Sequence, residues 1–279
     1  MNNLNIPDIQ HIEFYDSVLN HKNGDRKLRL QAIRNIVEQR YIEYQQNTEE
    51  LSIIAEVSTF NSDQKDDLMS CYGNNKEFNK VRSYIGKLQT PAMQSVCPYC
   101  GIGEPNTLDH YLPKEMFPEF SILAINLVPC CSICNNEKGS VWLTGGVRSI
   151  LNYYFDNVPS TKFLYTTIIF PEGLNTPTVS FALSRSPEIN TQLFKTITVH
   201  FAELKLLERY EKKVNDEVSG IFYEVTSAAE ELTVEEQKRN LRRSLQSLKL
   251  RYGENYWKAS LLDAIISSDQ FFIKCYKLD

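Results

Sequence analysis

The sequence predicts an α+β fold that is mostly helical. Apolar residues recur at helical spacing in both terminal thirds, two closely spaced cysteine pairs lie in the middle, and two short stretches rich in Thr, Ile and Phe follow. We expect a helical N-terminal region over residues 1–94, a small cysteine-containing core over 95–145, and a C-terminal region over 146–279. At 279 residues and 42% hydrophobic content, the chain can form one large domain or two small ones.

The N-terminal region is predicted to contain an amphipathic helix between Arg26 and Gln46. Apolar residues there recur at spacings of three and four, which places them along one helical face. These residues are Leu30, Ile33, Val37, Tyr41 and Tyr44. The sequence that follows stays compatible with helix, with breaks expected at Gly73 and Gly86 and an end at Pro91.

The C-terminal region is predicted to start with a small β-hairpin near residues 162–184. Residues 162–170 and 178–184 are rich in β-branched and aromatic side chains, and the turn-forming stretch Pro171–Pro177 lies between them. Two helical stripes follow and are expected to pack on a shared core. The first comprises Leu204, Leu207, Tyr210 and Val214, and the second comprises Leu241, Leu245, Leu248 and Tyr252.

Charge and hydropathy limit the classes of function. No stretch approaches the roughly 18 consecutive apolar residues of a membrane span, and the N-terminus lacks the apolar run of a signal peptide. A cytoplasmic protein without a membrane partner is therefore expected. The formal net charge of -5 argues against a protein that coats nucleic acid indiscriminately, so any contact with nucleic acid must be local.

The cysteines predict a metal site. Five of the seven cysteines lie between Cys97 and Cys134, and 30 residues separate the pair Cys97 and Cys100 from the pair Cys131 and Cys134. A tetrahedral structural Zn²⁺ site fits two such CxxC pairs, whereas simple packing or redox chemistry would not require both. Cys130 is expected to be a buried neighbour outside the site. No role is assigned to Cys71 or Cys275.

Polar residues between and after the cysteine pairs predict phosphodiester chemistry. Asp109 and His110 are adjacent, and Asn126, Asn135 and Lys138 follow along the chain. A histidine can take a proton from water near neutral pH, and a carboxylate with an amide oxygen can hold a divalent ion against a phosphate. The order of these residues therefore suits a phosphodiesterase that uses one metal ion.

The motifs CPYC, LDHYLPK, NLVPCC, SIC and NNEKG together resemble the HNH endonuclease family, over about 45 residues. This resemblance implies a ββα-metal core, in which a hairpin precedes a helix, and hydrolysis of DNA. It further implies that His110 is the general base, that Asp109 and Asn135 bind the catalytic metal, and that Asn126 braces the hairpin and orients the base. Lys138 would reach the phosphate or the leaving group.

One position departs from the family pattern, because Asn135 stands where many members have histidine. An amide oxygen ligand favours Mg²⁺ or Mn²⁺ over softer metals. Asn136 is an alternative ligand, although Asn135 directly follows the last cysteine. Lys114 is either a phosphate contact or a solvated loop lysine, and Lys138 is either functional or a favourable charge at a helix C-terminus.

A basic stretch near the C-terminus is a candidate nucleic-acid contact. Seven basic residues and one acidic residue lie between Gln237 and Lys258. The basic residues of the candidate surface are Lys238, Arg239, Arg242, Arg243, Lys249 and Arg251. They could follow phosphates, or they could pair with the glutamates just upstream.

The order of segments is similar, less specifically, to HNH nucleases of Septu-type or retron-linked anti-phage defence systems. That similarity implies a protein partner, an SMC-like or ABC-like ATPase. The aromatic stretch Asn152–Asp156 contributes to it but is also compatible with ordinary core packing. Two other functions remain open from the sequence: a catalytically silent zinc-stabilised binding or adaptor subunit, and an RNase toxin.

Overall fold

A computed structural model describes residues 2–73, 75–173 and 177–277. More than half of the described residues are helical, and the sheets are small and antiparallel, which confirms the mostly helical α+β class. The chain divides into two compact units, Asn3–Asn157 and Val158–Asp279 with Met1–Asn2. The predicted N-terminal region and the cysteine-containing core therefore belong to one unit. No helix among the described residues combines the length and apolar character that crossing a membrane would require.

Among the described residues, six α-helices form the N-terminal part of the first unit. They are α1 His11–Asn20, α2 Gly24–Ala32, α3 Arg34–Gln46, α4 Ser62–Met69, α5 Lys76–Leu88 and α6 Pro91–Ser95. The apolar face predicted between Arg26 and Gln46 is buried along its whole length. The single helix predicted there is wrong, since the chain breaks at Ile33 into α2 and α3. The Tyr15 hydroxyl donates to the Leu30 carbonyl, which lies in the last turn of α2, where helical carbonyls lack helical partners.

Two other predicted breaks also differ. Gly86 lies within α5, which continues to Leu88, because one glycine in a helix costs only about 1 kcal/mol. Pro91 is the first residue of α6 rather than the end of a helix, with the Thr90 side chain accepting from the Met93 backbone N–H. Proline suits this position because a first-turn N–H would have no helical acceptor.

The middle of the chain forms a hairpin followed by a short helix. Strands β1 Thr107–His110 and β2 Leu127–Cys130 are antiparallel, with Thr107 opposite Cys130 and His110 opposite Leu127. Helix α7, Ser132–Lys138, follows β2 after one intervening residue, Cys131. A loop over 111–126 connects the strands and contains two single 3₁₀ turns, Pro118–Phe120 and Ala124–Asn126.

The first unit ends with a second small hairpin and a buried aromatic stretch. Strands β3 Leu143–Thr144 and β4 Val147–Arg148 pair across Gly145 and Gly146, whose φ angles of 57° and 77° favour glycine. In Asn152–Asp156, Tyr153 and Tyr154 are buried, and the Tyr154 hydroxyl donates to the Leu127 carbonyl in β2 over 2.9 Å. This stretch therefore supports the first hairpin from within the core.

The second unit packs helices on the predicted hairpin. Strands β5 Leu164–Ile169 and β6 Thr178–Leu183 pair in antiparallel register from Leu164 opposite Leu183 to Ile169 opposite Thr178. Part of the predicted turn, residues 174–176, lies outside the described residues. The helices are α8 Thr191–Glu203, α9 Leu206–Ser227, α10 Val234–Tyr252, α11 Trp257–Ser267 and α12 Asp269–Tyr276.

Asn255 connects the hairpin to the helical layer of the second unit. Its buried side chain accepts hydrogen bonds from the backbone N–H groups of Phe163 and Leu164, at 2.7 and 3.0 Å. Its amide nitrogen donates to the carbonyls of Pro159 and Thr161. One side chain thus supplies the hydrogen-bond partners of four backbone groups at the start of β5 and in the segment before it.

We expect Asn255→Ala to lower the free energy of unfolding by about 3 kcal/mol, because buried backbone groups would lose their partner. Urea denaturation followed by circular dichroism measures this change. Asn240→Ala, at an exposed position of α10, is the matched control and is expected to change the free energy by less than about 1 kcal/mol. Equal effects of the two substitutions would show that the Asn255 contacts do not stabilise the unit.

Candidate functional site

Four cysteine sulfurs form a buried cluster beside the first hairpin. The Sγ atoms of Cys97, Cys100, Cys131 and Cys134 all lie within 4.8 Å of one another, and all four residues are buried. The Cys100 and Cys131 sulfurs are 3.8 Å apart. A tetrahedral site with Zn–S bonds of about 2.3 Å places its sulfurs roughly 3.8 Å apart. The predicted four-cysteine cluster is therefore present, and its geometry can hold a structural zinc ion.

The backbone before β1 forms a tight knuckle that presents the first cysteine pair. The N–H of Gly101 donates to the Cys97 carbonyl over 2.8 Å, and the N–H of Cys97 donates to the Gly103 carbonyl over 2.7 Å. Gly101 has a φ of 66°, which a residue with a side chain rarely adopts. A Cβ atom at Gly103 would lie 3.0 Å from the Cys131 Cβ. Glycine at position 103 thus lets the knuckle approach the second cysteine pair.

The second cysteine pair spans the start of α7. Cys131 is the N-cap residue, and its sulfur accepts from the Cys134 backbone N–H over 3.5 Å. Cys130 lies outside the cluster, next to the Thr107 hydroxyl, and burial raises the pKa of its thiol. Its sulfur is not among the four that lie within 4.8 Å of one another. This arrangement agrees with the prediction that Cys130 is a buried neighbour.

Asp109 lies at the centre of a buried polar group in β1. Its Oδ2 accepts from the Tyr99 hydroxyl over 2.8 Å, and its Oδ1 accepts from Lys138 Nζ over 3.0 Å. Burial raises the pKa of Tyr99 well above its usual range, so the hydroxyl stays protonated and donates. Lys138 Nζ also donates to the His110 carbonyl over 2.7 Å. The ion pair therefore joins the end of α7 to β1.

The structure corrects the role predicted for the Lys138 side chain. We predicted that this lysine reaches a phosphate or leaving group, but its side chain is 0% exposed and is bound to Asp109 and the His110 carbonyl. A buried ammonium needs a charged partner and further acceptors, and both are supplied from β1. Lys138 thus holds α7 against the hairpin instead of facing solvent.

His110 is held in one orientation at the end of β1. Its Nε2 lies 2.9 Å from the Ser121 carbonyl. Because a carbonyl only accepts, Nε2 carries the hydrogen of the neutral ring, which leaves Nδ1 as the acceptor. Burial lowers the pKa of His110 to about 4. The imidazole is therefore neutral near pH 7, with a lone pair available on Nδ1.

Asn126 braces the loop that carries Ser121. Its Oδ1 accepts from the Leu112 N–H over 2.8 Å, and its Nδ2 donates to the carbonyls of Leu112 and Phe120 at 3.0 and 3.3 Å. The Tyr44 hydroxyl on α3 is 3.2 Å from the same Oδ1. Asn126 is fully buried, and these contacts make it a positioning residue, which is the role that the family resemblance implies.

A cavity of about 430 Å³ opens beside His110, and we call it the His110 cavity. Its lining includes Asp109, Lys114 and Asn135, so the cavity brings together four of the predicted site residues. Asn135 is half-buried, whereas Asn136 is exposed and does not line this space. Lys114 Nζ lies 2.5 Å from Glu115 Oε1 on the cavity rim. Of the two candidate asparagines, Asn135 is therefore the one positioned beside Asp109 and His110.

Sequence reasoning missed two aromatic residues of this site. Tyr72 lines the His110 cavity, its ring lies edge-on 4.4 Å from the His110 ring, and its hydroxyl donates to the Leu108 carbonyl. Tyr99, between the first two cysteines, holds Asp109. Tyr99 could have been suspected from its place inside CPYC. Tyr72 carried no signal, because it lies in a turn between two helices of the N-terminal region.

The predicted basic surface is only partly available. Lys238 pairs with Asp269 at 3.0 Å and covers the Phe272 ring, and Lys249 pairs with Glu254 at 2.6 Å. Arg251 lies over the Tyr252 ring. The remaining residues, Arg239, Arg242 and Arg243, are exposed on one face of α10. Lys238 and Lys249 are thus corrected from nucleic-acid contacts to residues held in ion pairs, and four exposed arginines remain, of which Arg239, Arg242 and Arg243 share one face.

Comparisons with known proteins identify one similar sequence and leave the family open. Protein ea31 of Escherichia phage lambda is 28% identical over 222 residues, which is 74% of this chain and 73% of that protein. No protein-family model matches the chain, and no solved structure matches it. The name of the phage protein states no activity, so the chemistry of this chain is inferred from its own residues.

We expect the purified protein to contain about one zinc per chain, as one four-cysteine site requires. Cys131→Ser should remove this zinc and destabilise the first unit, because the free energy of metal binding contributes to folding. Cys130→Ala is the matched control and should retain the zinc, since its sulfur lies outside the cluster. Elemental analysis of both variants, with thermal denaturation, makes the comparison. Loss of zinc in both variants, or in neither, would contradict this assignment.

Proposed function

We propose that this protein is an HNH-type, metal-dependent nuclease that hydrolyses phosphodiester bonds of DNA in the His110 cavity. The observation that carries the proposal is His110 itself. Its Nε2 is bound to the Ser121 carbonyl, so Nδ1 is the acceptor. His110 lines a cavity together with a carboxylate, an amide and a lysine. A neutral imidazole fixed in this way is suited to remove a proton from water as the water attacks a phosphorus atom.

The hairpin β1–β2 followed by α7 supports a ββα-metal core. Asp109 and His110 end β1, and Asn135 lies on α7, so the order of elements matches the family that the motifs resemble. The cysteine cluster joins the knuckle to the start of α7, and Lys138 joins its end to Asp109. Both connections fix Asn135 relative to His110, which is the arrangement a nuclease of this kind requires.

Asp109 and Asn135 would hold the catalytic Mg²⁺ or Mn²⁺. Both residues line the His110 cavity and offer hard oxygen donors. Asp109 already accepts hydrogen bonds from Tyr99 and Lys138, but each carboxylate oxygen has a second lone pair. Two protein donors leave places for water and a substrate phosphate, since Mg²⁺ takes six ligands. The ion would supply charge stabilisation for the phosphate as the bond to the leaving oxygen breaks.

His110→Ala is expected to reduce plasmid cleavage in the presence of Mg²⁺ or Mn²⁺ by about a hundredfold or more, because the general base is lost. His21→Ala is the matched control and should cleave at the wild-type rate, since His21 is largely exposed. Conversion of supercoiled DNA, followed on gels with and without a chelator, measures the rates. Cleavage by His110→Ala at the wild-type rate would reject His110 as the base.

The same assay distinguishes the other two functions left open by the sequence. A zinc-loaded wild-type protein that binds DNA without cleaving it would support a binding or adaptor subunit, or dependence on an ATPase partner. Matched DNA and RNA strands of one sequence separate a DNase from an RNase toxin. The role in anti-phage defence stays a prediction that depends on the partner.

The exposed arginines of α10 are proposed to contact the DNA backbone. Arg239, Arg242 and Arg243 lie on the face opposite the buried residues Leu241 and Leu245. Glu235 and Glu236 approach two of them only to 4.0 Å, at exposed positions where ion pairs are weak. Their charges therefore remain available to phosphates.

Reversal of Arg239, Arg242 and Arg243 to Glu should weaken DNA binding at low salt by about tenfold or more and reduce the salt dependence of the affinity. Fluorescence anisotropy at several salt concentrations measures both quantities. A matched control reverses Lys238 and Lys249, whose charges are already paired, and should change the salt dependence less. An unchanged affinity and salt slope in the arginine variant would remove α10 from the DNA-binding surface.

A further inference from the structure

We propose that the exposed Arg82 on α5 binds a substrate phosphate next to the phosphate that occupies the His110 cavity. This inference rests on the proposed function, because it assigns a contact to the DNA strand that the nuclease would cleave. Arg82 does not line the His110 cavity, so its ligand is a flanking phosphate and not the reacting one. Helix α5 and the cavity belong to the same compact unit.

Aromatic contacts place Arg82 near the cavity. Its guanidinium carbon lies 5.6 Å from the centroid of the Phe78 ring, which is about one helical turn away on α5. The Phe78 ring packs against the Tyr72 ring with centroids 4.7 Å apart, and the Tyr72 ring lies 4.4 Å from that of His110. Tyr72 lines the cavity, so two ring contacts connect Arg82 to the cavity wall.

The Tyr72 hydroxyl provides a second connection between Arg82 and the cavity. It donates to the Leu108 carbonyl over 3.0 Å, and Leu108 also lines the cavity. Burial raises the pKa of Tyr72, and the positive charge of Arg82 acts in the opposite direction. Charges act on a pKa mainly over short distances, roughly 4–6 Å. The Arg82 guanidinium therefore lies beside the hydroxyl and close to two residues of the cavity wall.

The charge of Arg82 is not neutralised by a neighbouring acid. Lys80 on the same helix pairs with Glu77 at 2.8 Å, whereas Arg82 forms no ion pair within the part of the chain that the structure describes. On the cavity itself, Lys114 pairs with Glu115. Helix α5 has four basic residues and one acidic residue, so its exposed side attracts phosphates.

The chemistry of arginine suits a phosphate ligand. A guanidinium over the face of an aromatic ring is attracted to the ring without using its N–H donors. It stays charged at neutral pH, and its fork of donors can bind two phosphate oxygens at once. The contact with Phe78 also restricts the Arg82 side chain before binding, which reduces the entropy lost when a phosphate is bound.

The test measures the binding of a short labelled DNA by fluorescence anisotropy at several salt concentrations, without added divalent ions. Arg82→Gln should weaken binding at low salt by about fivefold and reduce the slope of log affinity against log salt by about 0.9, because one phosphate contact is lost. Arg82→Lys keeps the charge and should retain most of the slope.

Lys87→Gln is the matched control, because Lys87 is exposed on the same helix. Five residues separate it from Arg82, which is about 1.4 helical turns, so it lies on a different side of α5. It should change the salt slope by less than about half as much as Arg82→Gln does. Zinc content and circular dichroism of all three variants verify that they fold.

Three results would overturn the inference. The first is a wild-type salt slope in Arg82→Gln. The second is an equal loss of affinity in Arg82→Gln and Lys87→Gln, which would indicate a general effect of charge. The third is an equal loss in Arg82→Gln and Arg82→Lys, which would indicate that packing against Phe78 is responsible.

Cleavage of the same DNA after addition of Mg²⁺ tests the nuclease proposal separately. Because Arg82 contacts a phosphate that does not react, Arg82→Gln should raise KM by about fivefold and leave kcat near the wild-type value. A lower kcat at unchanged KM would contradict the flanking position. A reduced salt slope without cleavage by any variant would support the Arg82 contact and reject a nuclease that acts without a partner. Cleavage with an unchanged salt slope would reject the Arg82 contact alone.

Discussion

The candidate site depends on helix α7, because this helix carries Asn135. Contacts at both ends of α7 hold it in place. The helix has only seven residues, Ser132–Lys138, and a helix this short is unstable in water by itself. Cys131 and Cys134 join its first turn to the knuckle at Cys97 and Cys100, and Lys138 joins its last turn to Asp109. Asn135 lies between these two connections. A cysteine cluster that can hold a structural metal lies at one end and a buried ion pair lies at the other, and α7 itself buries only Cys134 and Lys138.

The loop between β1 and β2 is positioned from the N-terminal helices. On α3, the Tyr44 hydroxyl contacts Asn126, and Arg40 pairs with the fully buried Glu119 at 2.7 Å. Glu119 lies two residues before Ser121, whose carbonyl sets the tautomer of His110. The helices that precede the cysteine-containing segment are therefore part of the site's framework. Their contacts with the loop explain why both belong to one compact unit.

The sequence predicts the features whose residues lie close together along the chain. Two CxxC pairs in one chain most simply form a metal site, so the cysteine cluster could be predicted. Asp109 and His110 are adjacent in the sequence, so their common place beside the His110 cavity could be predicted too. The hairpin over β5 and β6 followed from β-branched residues on either side of a turn. Spacing alone also favoured Asn135 over Asn136, which agrees with the positions of the two side chains.

Contacts between distant segments could not be predicted in this way. The direction of the Lys138 side chain depends on Asp109, which is 29 residues away. Tyr72 lies in the turn between α4 and α5, and its contacts with His110 and the Leu108 carbonyl join distant parts of the sequence. The break at Ile33 is invisible to apolar periodicity, because the buried face continues through it. Likewise, the basic stretch of α10 gave no sign that Lys238 and Lys249 pair with acids from neighbouring segments.

The most direct measurement compares DNA cleavage by zinc-loaded protein with cleavage by the same preparation after zinc is removed, with Mg²⁺ in excess in both. If the cysteine cluster fixes α7 so that Asn135 and His110 can act together, the zinc-free protein loses cleavage and regains it when zinc is restored. Cleavage by the zinc-free protein at the zinc-loaded rate would contradict this account. The absence of cleavage in both forms would contradict a nuclease that acts without a partner.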